Sequence, residues 1–356
     1  DDFREVNFNM SKVITGAKQD RPRWKRALAV PDGMLGEALG QLYVEKYFPA
    51  ESKKRMVELV NNLKEALGEH IASLTWMSDE TKARAQEKLA AFTVKIGYPD
   101  KWKDYSSVVI DPKKTYWENI KEAILFHVKD SNRKYGKPVD KTEWGMTPQT
   151  VNAYYNPTTN EICFPAGILQ APFFSPDALD ADNYGAIGVV IGHEMTHGFD
   201  DMGRQFDKDG NMANWWTEKD AAEFNKLADK LVAQFDSIVV LGDQHANGRL
   251  TLGENIADQG GLRVAYTAYM KTKEAKENKT VDGFTPSQRF YLSYANVWAD
   301  NIRDAEILRR TKMDEHSLGR WRVNATLKNI APFYDAFGIK AGDPMFLAPE
   351  KRVIIW

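Results

Sequence analysis

The sequence predicts a mainly α-helical protein with a small β-sheet, an α+β fold. Three observations carry this. Apolar residues recur at spacings of three and four over several long segments, the period of an amphipathic helix. Only one short region, residues 150–165, shows two strand-like runs around a polar loop. With 43% hydrophobic and 12% aromatic residues among 356, the chain can bury a sizeable core, and its length suits about two domains.

The helical pattern becomes clear from Ala50, where Met56, Val60, Leu63, Leu67, Ile71 and Leu74 make one buried face. Ser78 or Asp79 caps a second helix that runs to about Ala91 and ends before Gly97-Tyr98-Pro99. A third spans about Thr115–Lys134 with Trp117, Ile120, Ile124 and Val128 turned inward, and Gly136 and Pro138 end it. The runs Thr150–Tyr155 and Glu161–Pro165 read as a β-hairpin with a longer loop. Helices resume near Asn183–Phe199, Thr217–Asp236, Leu252–Lys273, Pro286–Leu308 and Arg320–Asn329. Thr285-Pro-Ser-Gln288 is a capping box with proline at the first helical position. Residues 1–48 begin abruptly and look like the end of a larger element.

Composition excludes several classes. Lys and Arg number 48 against 50 Asp and Glu, so there is no basic surplus of the kind nucleic-acid binders carry. No apolar run approaches the roughly 18 residues of a membrane span. The opening Asp1-Asp-Phe-Arg-Glu-Val6 has no signal-peptide shape, so either the protein is cytosolic or an N-terminal part lies outside this sequence. Cys163 is the only cysteine; no internal disulfide can form, which leaves the cytosol or a bacterial envelope.

The chemistry-bearing segment is Val190-Ile-Gly-His-Glu-Met-Thr-His-Gly-Phe199. His193 and His197 lie four apart, hence one turn apart on one helix face. Two imidazole nitrogens can then reach one zinc ion at about 2.0–2.1 Å. Glu194 is rotated by about 100° from His193, so it borders the ion and can accept a proton from a water the zinc activates. A bare His-Glu-x-x-His also arises by chance. Gly198-Phe-Asp-Asp201 supplies no third histidine, and the best remaining ligand is Glu254 in Gly253-Glu-Asn-Ile-Ala-Asp258. Thr251-x-x-Glu254 also fits a capping box, which alone would explain the glutamate. Asp258 shares its face one turn on, where it can orient a zinc histidine. Two acids on the inner face of the stripe Leu252, Ile256, Leu262 and Ala265 are costly unless paired or metal-bound, which favours the metal reading. Two neutral histidines and one carboxylate leave a fourth position open, as catalytic zinc sites do.

These segments resemble the neprilysin family of zinc peptidases, which includes endothelin-converting enzyme and bacterial oligopeptidase O. Val151-Asn-Ala-Tyr-Tyr155, Phe164–Phe174, Val190–Asp201, Thr251–Gly261 and His316-Ser-Leu-Gly-Arg-Trp-Arg322 follow in the family's order, from near Phe8 to Trp356. The resemblance implies a thermolysin-like zinc peptidase catalytic domain over residues 51–356, preceded in residues 1–50 by a remnant of a helical cap domain and linker. It implies one Zn²⁺ per chain held by His193, His197 and Glu254, with Glu194 as base and Asp258 behind a zinc histidine. His316 would stabilise the oxyanion and Arg322 would hold a substrate carbonyl. Asn152 and Ala153 would pair with the backbone of a peptide substrate, as the free edge of a strand can. Phe173, Val190 and Trp298 would form an apolar S1′ pocket, favouring a hydrophobic P1′ residue.

Taken one at a time, His316, Arg322 and Asn152 read as ordinary surface or ion-paired residues, and Phe173, Val190 and Trp298 as core. His70, His127 and His245 have no partner motif and read as structural. The chain departs from the family in three ways. Full-length members are about twice as long, so the cap that restricts access to the cleft is largely absent and is the expected partner. Leu318 stands where the family has proline, which frees the loop carrying His316. The end Val353-Ile-Ile-Trp356 lacks a cysteine, which with the lone Cys163 favours a bacterial member of the cell envelope, in the periplasm or as a surface lipoprotein, over a cytoplasmic one. The expected function is a zinc-dependent endopeptidase of oligopeptides. The rival is a zinc-containing peptide-binding or partner-dependent chain with little activity for want of the cap.

Overall fold

The computed structural model describes residues 2–356, and it is mostly helical with a small sheet. Its centre is a pair of packed helices, Val189–His197 and Leu252–Met270. Nearly every residue of the first is buried, and the second is buried along most of its length. Two glycines explain how near they come. A Cβ on Gly192 would stand 2.8 Å from the Cα of Gly261, and one on Gly261 would stand 2.5 Å from the His193 nitrogen. With no side chain between them, the backbones can touch, and residues 193 and 258 come within hydrogen-bond reach. Gly261→Ala is therefore expected to cost about 1–3 kcal/mol by overpacking. Urea denaturation would measure it, and an unchanged midpoint would mean the helices part freely.

The helix Ala50–Ser73 packs on this pair with Met56, Val60, Leu63, Leu67 and Ile71 buried as the spacing predicts. Ser78 caps the helix Asp79–Ala90. Asp220 of the helix Glu218–Asp236 ties that cap down, accepting from the Ser78 amide (3.0 Å) and the Thr81 hydroxyl (2.6 Å). Behind the His193 helix, Trp76, Phe199, Trp216, Phe224 and Trp356 form an aromatic cluster with ring centroids 5.4–6.5 Å apart. Among the described residues no helix is long and apolar enough to cross a membrane.

The sheet has three strands in the order Thr93–Gly97, Glu161–Pro165, Tyr154–Asn156. The outer pair is the predicted hairpin, antiparallel with Tyr154 opposite Cys163, but its first strand is shorter than expected. Asn152 and Ala153 lie just before it, outside the ladder. The parallel strand Thr93–Gly97 was not anticipated; its partner at Glu161–Pro165 is remote in sequence, and a single five-residue run gives no pairing signal.

Three helical expectations need correction. The helix Tyr116–Lys134 exists, with a Thr115/Glu118 capping box, but its stripe does not face inward. Trp117 is 60% exposed and Val128 49%; Ile124 is also exposed. Periodicity identifies a stripe, not what covers it. The expected helix Pro286–Leu308 is two helices, Pro286–Val297 and Asp304–Met313, although its predicted capping box is present. Asp300 and Asn301 fall in the break, where short polar side chains compete with helical hydrogen bonds. The helix expected over Asn183–Phe199 opens at Asp180 and widens into a π turn at Tyr184–Gly188 before Val189–His197. There Gly185 lies against the opposing helix, since a Cβ would meet the Phe290 carbonyl at 2.2 Å.

Candidate active site

The helical spacing of four puts both imidazoles on one face: His193 Nε2 and His197 Nε2 are 2.9 Å apart. Each ring is held from behind by a carboxylate. His193 Nδ1 lies 2.9 Å from Asp258 Oδ1, and His197 Nδ1 lies 2.7 Å from Asp200 Oδ2. In the neutral rings the proton belongs on Nδ1, where these acceptors are, so both Nε2 atoms present lone pairs. Glu254 completes the group. Its Oε2 is 3.2 Å from His193 Nε2 and its Oε1 is 3.5 Å from His197 Nε2. Glu254 Oε2 is buried without a hydrogen-bond donor. Glu254 does not cap its helix, because Thr251 makes no side-chain cap; the Thr251 hydroxyl donates to the Asn247 carbonyl and accepts from Asn255.

Three converging ligand atoms at these distances repel one another unless a proton or a metal cation sits between them. Ligand atoms at about 2.0–2.1 Å from a tetrahedral zinc stand about 3.3 Å from each other, and the separations here are 2.9–3.5 Å. The residues therefore fit Zn²⁺, and their two-nitrogen, one-carboxylate chemistry suits it. The charge balance agrees. Burial disfavours the His193 imidazolium, but Asp258 and Glu254 outweigh this and push its pKa up to about 10. Burial likewise opposes ionisation of Glu254, yet His193 and His197 hold its pKa far below the usual carboxylate range. The pocket calls for positive charge at the point where the three side chains meet.

Glu194 is buried beside this point, and burial raises its pKa while His193 and His197 pull the other way. A desolvated carboxylate next to a cation site is suited to accept and return a proton. Arg322 grips Asp258 with two bonds, Nε to Oδ2 (2.8 Å) and Nη2 to Oδ1 (2.6 Å). Its guanidinium lies 3.8 Å over the Trp298 ring, and Tyr294 donates to its carbonyl. Arg322 is thus tied to the carboxylate that orients His193. His316 Nε2 is 3.4 Å from Glu254 Oε2, and its Nδ1 is 2.9 Å from Asp314 Oδ1. The loop carrying it is pinned where Ser317 donates to Asn255 (2.7 Å). Leu318 holds φ −60°, a value that proline also adopts.

One cleft of about 560 Å³ is lined by His193, Glu194, His197, Glu254, Asp258, His316 and Arg322, and also by Asn152, Ala153, Phe173, Val190 and Trp298. All the residues singled out in the sequence meet there. His70, His127 and His245 lie elsewhere, bonded to Thr267, the Met34 carbonyl and the Asp236 carbonyl. Asp200 was missed. Its Oδ1 also accepts from the Met202 and Gly203 amides (2.9 and 2.6 Å), so its second oxygen is aimed at His197. The available signal was a carboxylate three residues past the second histidine.

Fold and site together define a buried candidate metal centre of two histidines and a glutamate on two packed helices. The profile of peptidase family M13 matches residues 152–353, and a second profile of the same family matches residues 1–99. The chain belongs to this family, the neprilysin family. It is 38% identical to human neprilysin over 366 residues, covering 99% of this chain and 48% of that protein. It is 37% identical to neprilysin-3 of Drosophila melanogaster, covering 46% of it. The zinc metalloprotease Zmp1 of Mycobacterium tuberculosis, solved with an inhibitor, superposes with a TM-score of 0.91 at 43% identity, over 98% of this chain and 53% of that one. PepO of Lactobacillus rhamnosis superposes at 0.90 with 31% identity, over 100% of this chain and 55% of that one. The chain spans about half the length of the relatives it matches.

Proposed function

We propose that the chain is a zinc-dependent endopeptidase of oligopeptides, with one Zn²⁺ held by His193, His197 and Glu254. The observation that carries this is the convergence of three ligand atoms with buried Glu194 in a cleft that Asn152 and Ala153 also line. When bound, the metal supplies Lewis acidity to a water and to the scissile carbonyl. The chain's own groups do the rest. Glu194 takes the proton of the attacking water and returns it to the leaving amine. As the imidazolium, with Nδ1–H given to Asp314, His316 donates from Nε2 to the carbonyl oxygen as it gains charge. Asn152 and Ala153 align an extended peptide. Phe173, Val190 and Trp298 offer an apolar wall for the P1′ side chain. A quenched fluorogenic peptide tests the reading: cleavage should stop with a chelator and return with zinc. Peptides with Leu or Phe at P1′ should exceed their Ala counterpart by about 10-fold or more in kcat/KM. Equal rates across the series would refute the apolar pocket.

One observation favours the partner-dependent reading. Phe3, Val6, Met10 and Val13 form a stripe on the helix Asp2–Thr15 and are 61–95% exposed. Such a face suits a covering segment of the kind the longer relatives could supply. Under this reading the chain alone binds zinc and peptide but does not turn over, so the same assay decides between the two.

A further inference from the structure

Lys88 is buried, only 1% exposed, in the helix Asp79–Ala90. No step of the proposed chemistry uses it. Its Nζ donates to the carbonyls of Gly198, Gly203 and Phe206, each at 2.7 Å, so all three ammonium protons are taken up by backbone. The rings of Tyr155, Phe199 and Trp215 surround it at 5.7–5.8 Å. Burial pulls its pKa down to about 7 against the opposing pull of Asp200 and Asp207. A core position that holds a cation against such a penalty is specified by what the cation touches.

What it touches is the turn leaving the zinc helix. Gly198 follows His197 directly and its carbonyl belongs to the helix end, where a cation is favoured. Gly203 folds back so closely that a Cβ there would stand 1.7 Å from the His197 carbonyl. The Gly203 amide donates to Asp200, and Asp200 holds His197. Lys88 therefore joins both limbs of the turn that aims Asp200. Its own carbonyl accepts from Asn160, in the hairpin loop beside Tyr155. The lysine lies in the region matched by the profile over residues 1–99, and the turn and hairpin lie in the region matched over 152–353.

We propose that Lys88 is a positioning residue of the zinc centre: by drawing the carbonyls of Gly198, Gly203 and Phe206 onto one ammonium, it fixes the turn through which Asp200 orients His197. This rests on the zinc reading of the site and is tested by metal affinity. Lys88→Met keeps the stem and removes charge and donors. Zinc affinity, measured by chelator competition on the folded protein, should fall about 10- to 100-fold, the range for partners that orient a metal ligand. The Co²⁺ absorption spectrum should shift. Asp200→Asn should give a similar loss, and the double variant should lose little more than either single one, because both act through one turn. If Lys88→Met yields no folded protein, Lys88→Gln, which keeps two donors without charge, is read in the same way. A Lys88 that only stabilised the fold would lower the melting temperature, leave zinc affinity and the Co²⁺ spectrum native, and add to Asp200→Asn; that result overturns the proposal. Failure of the native chain to bind zinc would instead reject the zinc reading itself.

Discussion

Glu194→Gln is expected to lower kcat by about 10²- to 10⁴-fold, the usual contribution of a positioned general base. Zinc content should be unchanged, because Glu194 is not among the three groups that converge at the metal position. The amide fills the same buried space, so the fold loses little. It cannot accept the water's proton, and it cannot carry one to the departing amine. Burial raises the Glu194 pKa while His193 and His197 pull it the other way. Steady-state rates beside metal analysis would check this. A zinc-replete Glu194→Gln chain with near-native kcat would take the base role away from this residue.

The parts of the site that share one helical face were legible in the sequence. His193 and His197, and likewise Glu254 and Asp258, lie four residues apart, and a helix converts that spacing into a shared face. The helix pairing that brings one face to the other was not legible. It depends on the contact of Gly192 with Gly261, and neither glycine carries a pattern of its own. Asp200 was hidden because its role needs a turn that reverses at Gly203, and Lys88 because its partners are backbone carbonyls more than a hundred residues on. The fold shows the same division. Local periodicity located the helix Ala50–Ser73 and its buried face, whereas the outward stripe of Tyr116–Lys134 and the parallel strand Thr93–Gly97 depend on distant partners. Arg322 illustrates a subtler point. The resemblance implies a group that holds substrate, but its guanidinium is committed to Asp258 and stacked on Trp298. A hold on a substrate carbonyl would have to use the edge those contacts leave.

Glu254→Ala should have its largest effect on the metal itself. Removing a carboxylate that merely orients a metal histidine costs about 10- to 100-fold in affinity. Glu254 faces the two Nε2 atoms directly, so its loss should exceed that range. Two further consequences follow from its neighbours. His193 loses one of the two carboxylates that hold its pKa near 10, and His316 loses the anion 3.4 Å from its Nε2. Glu254→Gln separates these effects, since it keeps one oxygen ligand and discards the charge. It should bind zinc more weakly than the native chain and more strongly than the alanine variant. Chelator competition on the three proteins, with circular dichroism to confirm the fold, gives the ranking. If Glu254→Ala retained zinc with native affinity, the third ligand would have to come from another group near the cation position, and Glu315 lies beside His316 as the acid to examine next.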